Sequence, residues 1–244
     1  MAHDTPETDR VLSIADNVAR VRTRMRQAAE RVGRNPQSVR LVAAGKTVDA
    51  ARIRAAIAAG VTIVGENYLQ ETRQKLGQMG RAGVEWHLIG PLQRNKARYV
   101  FDLFDMMHSL DRFELAEEIN RRAERLGRRL QVLLEVNIGG EASKSGWTPA
   151  ALLEDINRLA GLANLEVRGL MTIPPPTPSP AEARPFFRAL RDLRDSLAQR
   201  GHEGMSFHEL SMGMTADYEV AIEEGATLVR VGTAIFGPRP ERRR

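Results

Sequence analysis

Only four of the 36 cationic side chains in this chain are lysines: Lys46, Lys75, Lys96 and Lys144. Arginine supplies almost all the remaining positive charge. It solvates surfaces and binds anions, but it does not shed a proton and attack a carbonyl as lysine does. Lys46 draws attention because it follows the apolar run Val39, Leu41, Val42, Ala43 and Ala44, which ends in Gly45. A short apolar run bounded by turn residues reads as a buried parallel strand, which leaves the amine at the strand's carboxyl end. A snorkelling or salt-bridged lysine is the competing explanation.

Two later stretches complement that amine. Ser211-Met212-Gly213-Met214 and Arg230-Val231-Gly232-Thr233 each place hydroxyls and glycines directly after an apolar run. Hydroxyls with close backbone approach suit a phosphate, and turn glycines of an ordinary barrel are the alternative. Arg230 alternates with Val229 and Val231, so it points inward and needs an anion, an acceptor or a ring as partner. An amine across the mouth from a phosphate cup, with a guanidinium between them, is what a phosphorylated aldehyde with a heterocycle requires.

The elements that must hold these groups recur regularly. A long amphipathic helix is expected over residues 6–32, with Val11, Ile14, Val18, Val21, Met25, Ala28 and Val32 at helical spacing, ending at Gly33. Strands are then expected over 39–47, 61–65, 86–90, 106–110, 131–138, 167–173, 207–212 and 227–231. Each is followed by a helix or helical turn. Asp49 and Thr148 stand at N-cap positions, Pro149 in a first turn, and a helix capped near Thr215 follows the seventh strand. Eight strands alternating with helices, without a composition break, predict an α/β chain folded as one (β/α)8 TIM barrel over 1–244 with an additional N-terminal helix. An open doubly wound sheet is the rival, but Ala44-Gly45-Lys46 lacks the glycine spacing of a dinucleotide turn.

In such a barrel the strand ends form one ring: Lys46, Asn67, Gly90 with Gln93 and Asn95, Ser109, Asn137, Thr172, and the two stretches around Ser211 and Arg230. Composition narrows the chemistry. With no cysteine there are no disulfides and no thiolate nucleophiles or metal ligands. His87, His108 and His208 lie in expected strands without metal-pair spacing, so no metal is expected and packing or hydrogen bonding is the better role. The start is polar and no apolar run is long enough to cross a bilayer, so a cytoplasmic protein without membrane partners is expected. The +5 net charge is scattered among acidic residues, and 5% aromatics offer little stacking surface, so nucleic acid is not an expected partner. The tail 239–244 is expected to be disordered. The first helix can be satisfied by its own barrel, which favours a monomer.

The residues resemble those of the pyridoxal phosphate homeostasis protein family, single-domain proteins similar to the N-terminal barrel of bacterial alanine racemase. The likeness rests on Lys46-Thr47, Gly65-Glu66-Asn67-Tyr68, Trp86-His87-Leu88-Ile89-Gly90, His108-Ser109-Leu110-Asp111 and Val136-Asn137-Ile138. It continues through 141–146, 169–173, Leu210-Ser211-Met212-Gly213-Met214 and 229–237. Gly45 stands where the family usually has Ser, and Pro91 where His is common.

By that resemblance the cofactor is pyridoxal 5'-phosphate, held as a Schiff base on Lys46. Ser211, Gly213, Met214, Gly232 and Thr233 would surround its phosphate, Arg230 would face the pyridine nitrogen, and Asn67 would line the ring or its 3-hydroxyl side. A permanently charged donor keeps that nitrogen unprotonated and weakens the cofactor as an electron sink. Racemisation needs acid and base groups on both faces, and in the racemases the second base comes from a further domain. The expected function is therefore storage and delivery of the cofactor in vitamin B6 homeostasis, without turnover, with PLP-dependent apoenzymes as acceptors. An amino-acid racemase and a Schiff-base aldolase acting on a sugar phosphate are the alternatives.

Overall fold

The computed structural model describes residues 13–141 and 143–238. The first helix, α1 (Ile14–Arg31), starts later than the periodicity suggests. The Ser13 side chain accepts from the Asp16 amide, and the Asp16 carboxylate accepts from the Ser13 amide, a capping box that fixes the start. Residues 6–12 of the expected helix lie outside the described residues, as does the tail 239–244. The helix buries Val18, Val21, Met25, Ala28 and Ala29, the inner positions of its apolar stripe.

Eight parallel strands follow and close into a barrel in chain order: β1 (Arg40–Ala44), β2 (Ile63–Glu66), β3 (Glu85–Leu88), β4 (Met106–Leu110), β5 (Leu130–Glu135), β6 (Leu165–Met171), β7 (Met205–Ser211) and β8 (Leu228–Val231). The helices between them are α2 (Ala50–Ala58), α3 (Leu69–Met79), α4 (Val100–Leu103), α5 (Phe113–Leu126), α6 (Pro149–Ala160), α7 (Arg184–Arg200) and α8 (Tyr218–Glu223), and α9 (Thr233–Phe236) comes last. Asp49 and Thr148 cap α2 and α6 as the sequence implies. The larger core lies between strands and helices. A smaller cluster inside the barrel, Val42, Ile63, Ile89, Met106, Leu133, Met171 and Leu228, fills its interior.

Several boundaries differ from expectation, some of them for identifiable reasons. β5 ends at Glu135 and not at Ile138, because the Trp147 amide donates to Glu135 O and the Asn137 amide to Trp147 O, folding the loop back on the strand end. β6 and β7 begin earlier, and their pairing is irregular around Gly169. A Cβ there would lie 1.9 Å from Glu209 O, so only glycine lets the two backbones approach. The helix expected near Thr215 starts at Tyr218, since the Thr215 hydroxyl accepts from the Ala234 amide at 3.4 Å. Among the described residues no helix is long and apolar enough to cross a membrane.

Candidate functional site

Lys46 lies two residues beyond β1, half-buried, in a turn tied down by several hydrogen bonds. The Gly45 amide donates to Gly65 O on β2 at 2.8 Å, and Gly45 O accepts from the Val48 amide and from Lys75 Nζ. Thr47, next to the amine, adopts φ +64, a left-handed conformation that a β-branched residue rarely holds. Its amide is fixed by Glu71 Oε2 at 3.0 Å. The Lys46 ammonium stands 5.2 Å from the centroid of the Tyr68 ring.

A buried ion pair supports this turn, and no local pattern in the sequence marks it. Lys75 Nζ bonds Glu66 Oε1 at 2.6 Å and Gly45 O at 2.8 Å, while Glu66 Oε2 has no partner. Burial pushes the Glu66 carboxyl up to about 7, against the pull of Lys75. The pair also explains Gly45. A Cβ at that position would lie 2.5 Å from Glu66 Oε1 and 2.8 Å from Ile53 Cδ1.

Arg230 points into the barrel, as its alternation with Val229 and Val231 requires, and is buried. Its Nη1 donates to Ser211 O and Ser211 Oγ, and its Nη2 to Thr172 O. Three of the five N–H groups of a guanidinium are thus used, and Nε–H and one Nη2–H are left for a ligand. Burial lowers Arg230 to about 10, and the charges of Glu135 and Asp217 work against that shift. Ser211 is fully buried, and its hydroxyl lies between Arg230 and His108, so it supports the arginine from beneath.

The other residues expected around a phosphate gather at the ends of β7 and β8. Gly213 is buried at φ +89, and a Cβ there would lie 2.5 Å from Ala221 Cβ and 2.9 Å from Tyr218 Cα. Met214 is 36% exposed at the rim. Gly232 and Thr233 open α9, where the first amides have no carbonyl a turn behind them and favour an anion. The cradle is beside the amine and not across the mouth from it. Barrel closure pairs Val42 with Arg230 and Ala43 with Val231, and a Cβ on Gly232 would lie 3.2 Å from Ala44 O. Amine, anion cradle and guanidinium with spare donors therefore fit a phosphorylated aldehyde bearing a ring nitrogen.

Asn67 lines a cavity of about 230 Å³ that also contacts Gly90, Ser109, Glu135, Asn137 and Lys144. Ser109 donates to Gly90 O, and the Asn137 side chain braces both polar groups of the Glu141 backbone. Lys144 pairs with Glu141. Glu135, absent from the sequence-based ring, faces this cavity from the last residue of β5. Burial, with Asp111 adding repulsion and Arg230 opposing, raises its carboxyl to about 7. Among the described residues no cluster of His, Cys, Asp and Glu could hold a metal ion.

Residues 16–240 match the family described as alanine racemase, N-terminal domain. A Pyridoxal phosphate homeostasis protein of Aquifex aeolicus is 44% identical over 93% of this chain and 99% of its own length. The structure of PipY of Synechococcus elongatus PCC7942 with PLP bound superposes with a TM-score of 0.81 at 37% identity, covering 92% of this chain and 100% of that one. An alanine racemase of Clostridium difficile 630 gives a TM-score of 0.67 at 14% identity, covering 93% of this chain and 57% of that one, which shows the shared fold alone.

Proposed function

The chain belongs to the alanine racemase N-terminal domain family and, within it, to the pyridoxal phosphate homeostasis proteins, and on that premise we propose that it binds pyridoxal 5'-phosphate as a Schiff base on Lys46. It stores and delivers the cofactor in vitamin B6 homeostasis, acting as a cytoplasmic monomer that serves PLP-dependent apoenzymes. The observation that carries this reading is the adjacency of β1 and β8, which sets the Lys46 turn beside the Gly213, Met214, Gly232 and Thr233 cradle. Bound there, the cofactor supplies an electrophilic carbon for an amine. Lys46 offers that amine, the Gly232 and Thr233 amides at the start of α9 offer hydrogen bonds to the phosphate, and Asn67 lines the ring side. Arg230 offers its two remaining N–H groups to the ring nitrogen. The Glu66–Lys75 pair holds the turn that carries the amine.

Carriage without turnover is supported by the relatives' names, which describe homeostasis proteins and no enzyme. The test is an absorption spectrum of the protein loaded with pyridoxal 5'-phosphate beside that of Lys46→Ala. Wild type is expected to be yellow, with a Schiff-base band that borohydride bleaches, and the variant to lack it. Equal bands in both would reject Lys46 as the attachment point. A coupled assay for D-amino acids is expected to stay at background.

A further inference from the structure

We propose that Ser211, His108, His87 and Glu85 form a one-way hydrogen-bond chain along the barrel interior, which positions Arg230 and links its charge to a carboxylate at the opposite end. The role of Arg230 towards a ring nitrogen rests on the function proposed above, whereas the chain itself rests on geometry. Arg230 Nη1 lies 2.6 Å from Ser211 Oγ, and Ser211 Oγ lies 2.9 Å from His108 Nδ1. His108 Nε2 is 2.9 Å from His87 Nδ1, and His87 Nε2 is 2.9 Å from Glu85 Oε2. The two histidines and Ser211 are buried, while the Glu85 side chain, on the first residue of β3, is 53% exposed.

Direction follows from the two ends. A guanidinium only donates and a carboxylate only accepts. Ser211 therefore accepts from Arg230 and has its own hydrogen free for His108 Nδ1. His108 then carries its hydrogen on Nε2 and gives it to His87 Nδ1. His87 likewise carries its hydrogen on Nε2 and gives it to Glu85. Every link holds one hydrogen, and both imidazoles are neutral. An extra proton on His87 would break this order, because His108 would have to donate to Ser211, whose own hydrogen would then have no acceptor on the chain.

The surrounding charges agree. Burial, helped by the positive charges of Arg230 and Arg40, holds His108 well below the usual histidine range. The hydrogen bond from His87 holds Glu85 low, with burial opposing and Arg40 adding to the lowering. Arg40 bonds Glu209 at 2.7 Å and stands 4.0 Å from Glu85. Glu135 and Asp217 are the carboxylates that act on Arg230 from the mouth. Aligned bonds polarise one another by roughly 10–30% each, so Glu85 acts on Arg230 through three intermediaries.

Long-range proton–nitrogen spectra of the cofactor-free protein test the chain directly. His87 and His108 are expected as neutral Nε2–H tautomers at pH 7. An Nδ1–H tautomer or an imidazolium at either position overturns the proposal. The coupling is read from the release rate of pyridoxal 5'-phosphate from the loaded protein. Glu85→Ala is expected to release it about twofold faster, in line with modest polarisation through the chain. In the Ser211→Ala background, where the chain is cut, the same change is expected to have no effect. An equal effect in both backgrounds, or none in wild type, overturns the positioning role. Should wild type take up no cofactor, the proposed function fails, and the tautomer spectra still decide the chain.

Discussion

Replacing Lys75 by Met removes the ammonium that bonds both Glu66 Oε1 and Gly45 O while roughly keeping side-chain volume. At pH 7 the change leaves a buried carboxyl without a donor and a carbonyl with one fewer, a loss of about 2 kcal/mol. The larger effect depends on pH. In wild type the Glu66 carboxyl sits at about 7, above its unfolded value of 4.5, so the folded state keeps a proton that the unfolded state has lost. Stability from this group therefore falls as pH rises from the unfolded value to the folded one, and is flat above it. Without Lys75 the folded value moves higher still, and the fall continues at about 1.4 kcal/mol per pH unit. Between pH 7 and pH 8.5 the variant is expected to lose about 2 kcal/mol more than wild type, which brings the total near 4 kcal/mol, within the range for a broken buried pair. Urea unfolding followed by circular dichroism at both pH values measures it, and the double variant Glu66→Gln/Lys75→Met is expected to show no extra slope. A loss that is the same at both pH values, or a slope that survives in the double variant, refutes the reasoning.

Other perturbations test different parts of the site. Gly213→Ala places a Cβ 2.5 Å from Ala221 Cβ at φ +89; it is expected to destabilise by more than about 1 kcal/mol from the backbone alone and to speed cofactor release, and a neutral melt would disprove it. Thr47→Asn puts a residue that tolerates left-handed backbone at φ +64 and is expected to stabilise by about 1 kcal/mol, with an unchanged or lower midpoint in urea counting against stored strain. His108 is held below its unfolded value of 6.5, so the unfolded state binds a proton first and stability from this group falls as pH drops below that value. Wild type is expected to lose up to about 1.4 kcal/mol per pH unit there relative to His108→Gln. Parallel stability curves for the two proteins below pH 6.5 would contradict a buried neutral imidazole.

Local pattern made much of this protein legible. Apolar runs alternating with helical periodicity specify eight strand-and-helix units, and caps such as Asp49 and Thr148 mark their starts, because these signals act between residues a few positions apart. Alternation around Arg230 is enough to turn it inward, and the apolar run before Gly45 is enough to put Lys46 just past a strand end. Tertiary closure decided the rest. It placed β8 against β1, so that the cradle lies beside the amine instead of opposite it. It put Lys75 under Gly45, thirty residues away in the chain. It also brought Ser211 to His108, across a separation of 103 residues. No periodicity records such pairings, since hydrogen bonds and ion pairs inside a barrel depend on which strands meet and at what register, and that is fixed only when the sheet closes.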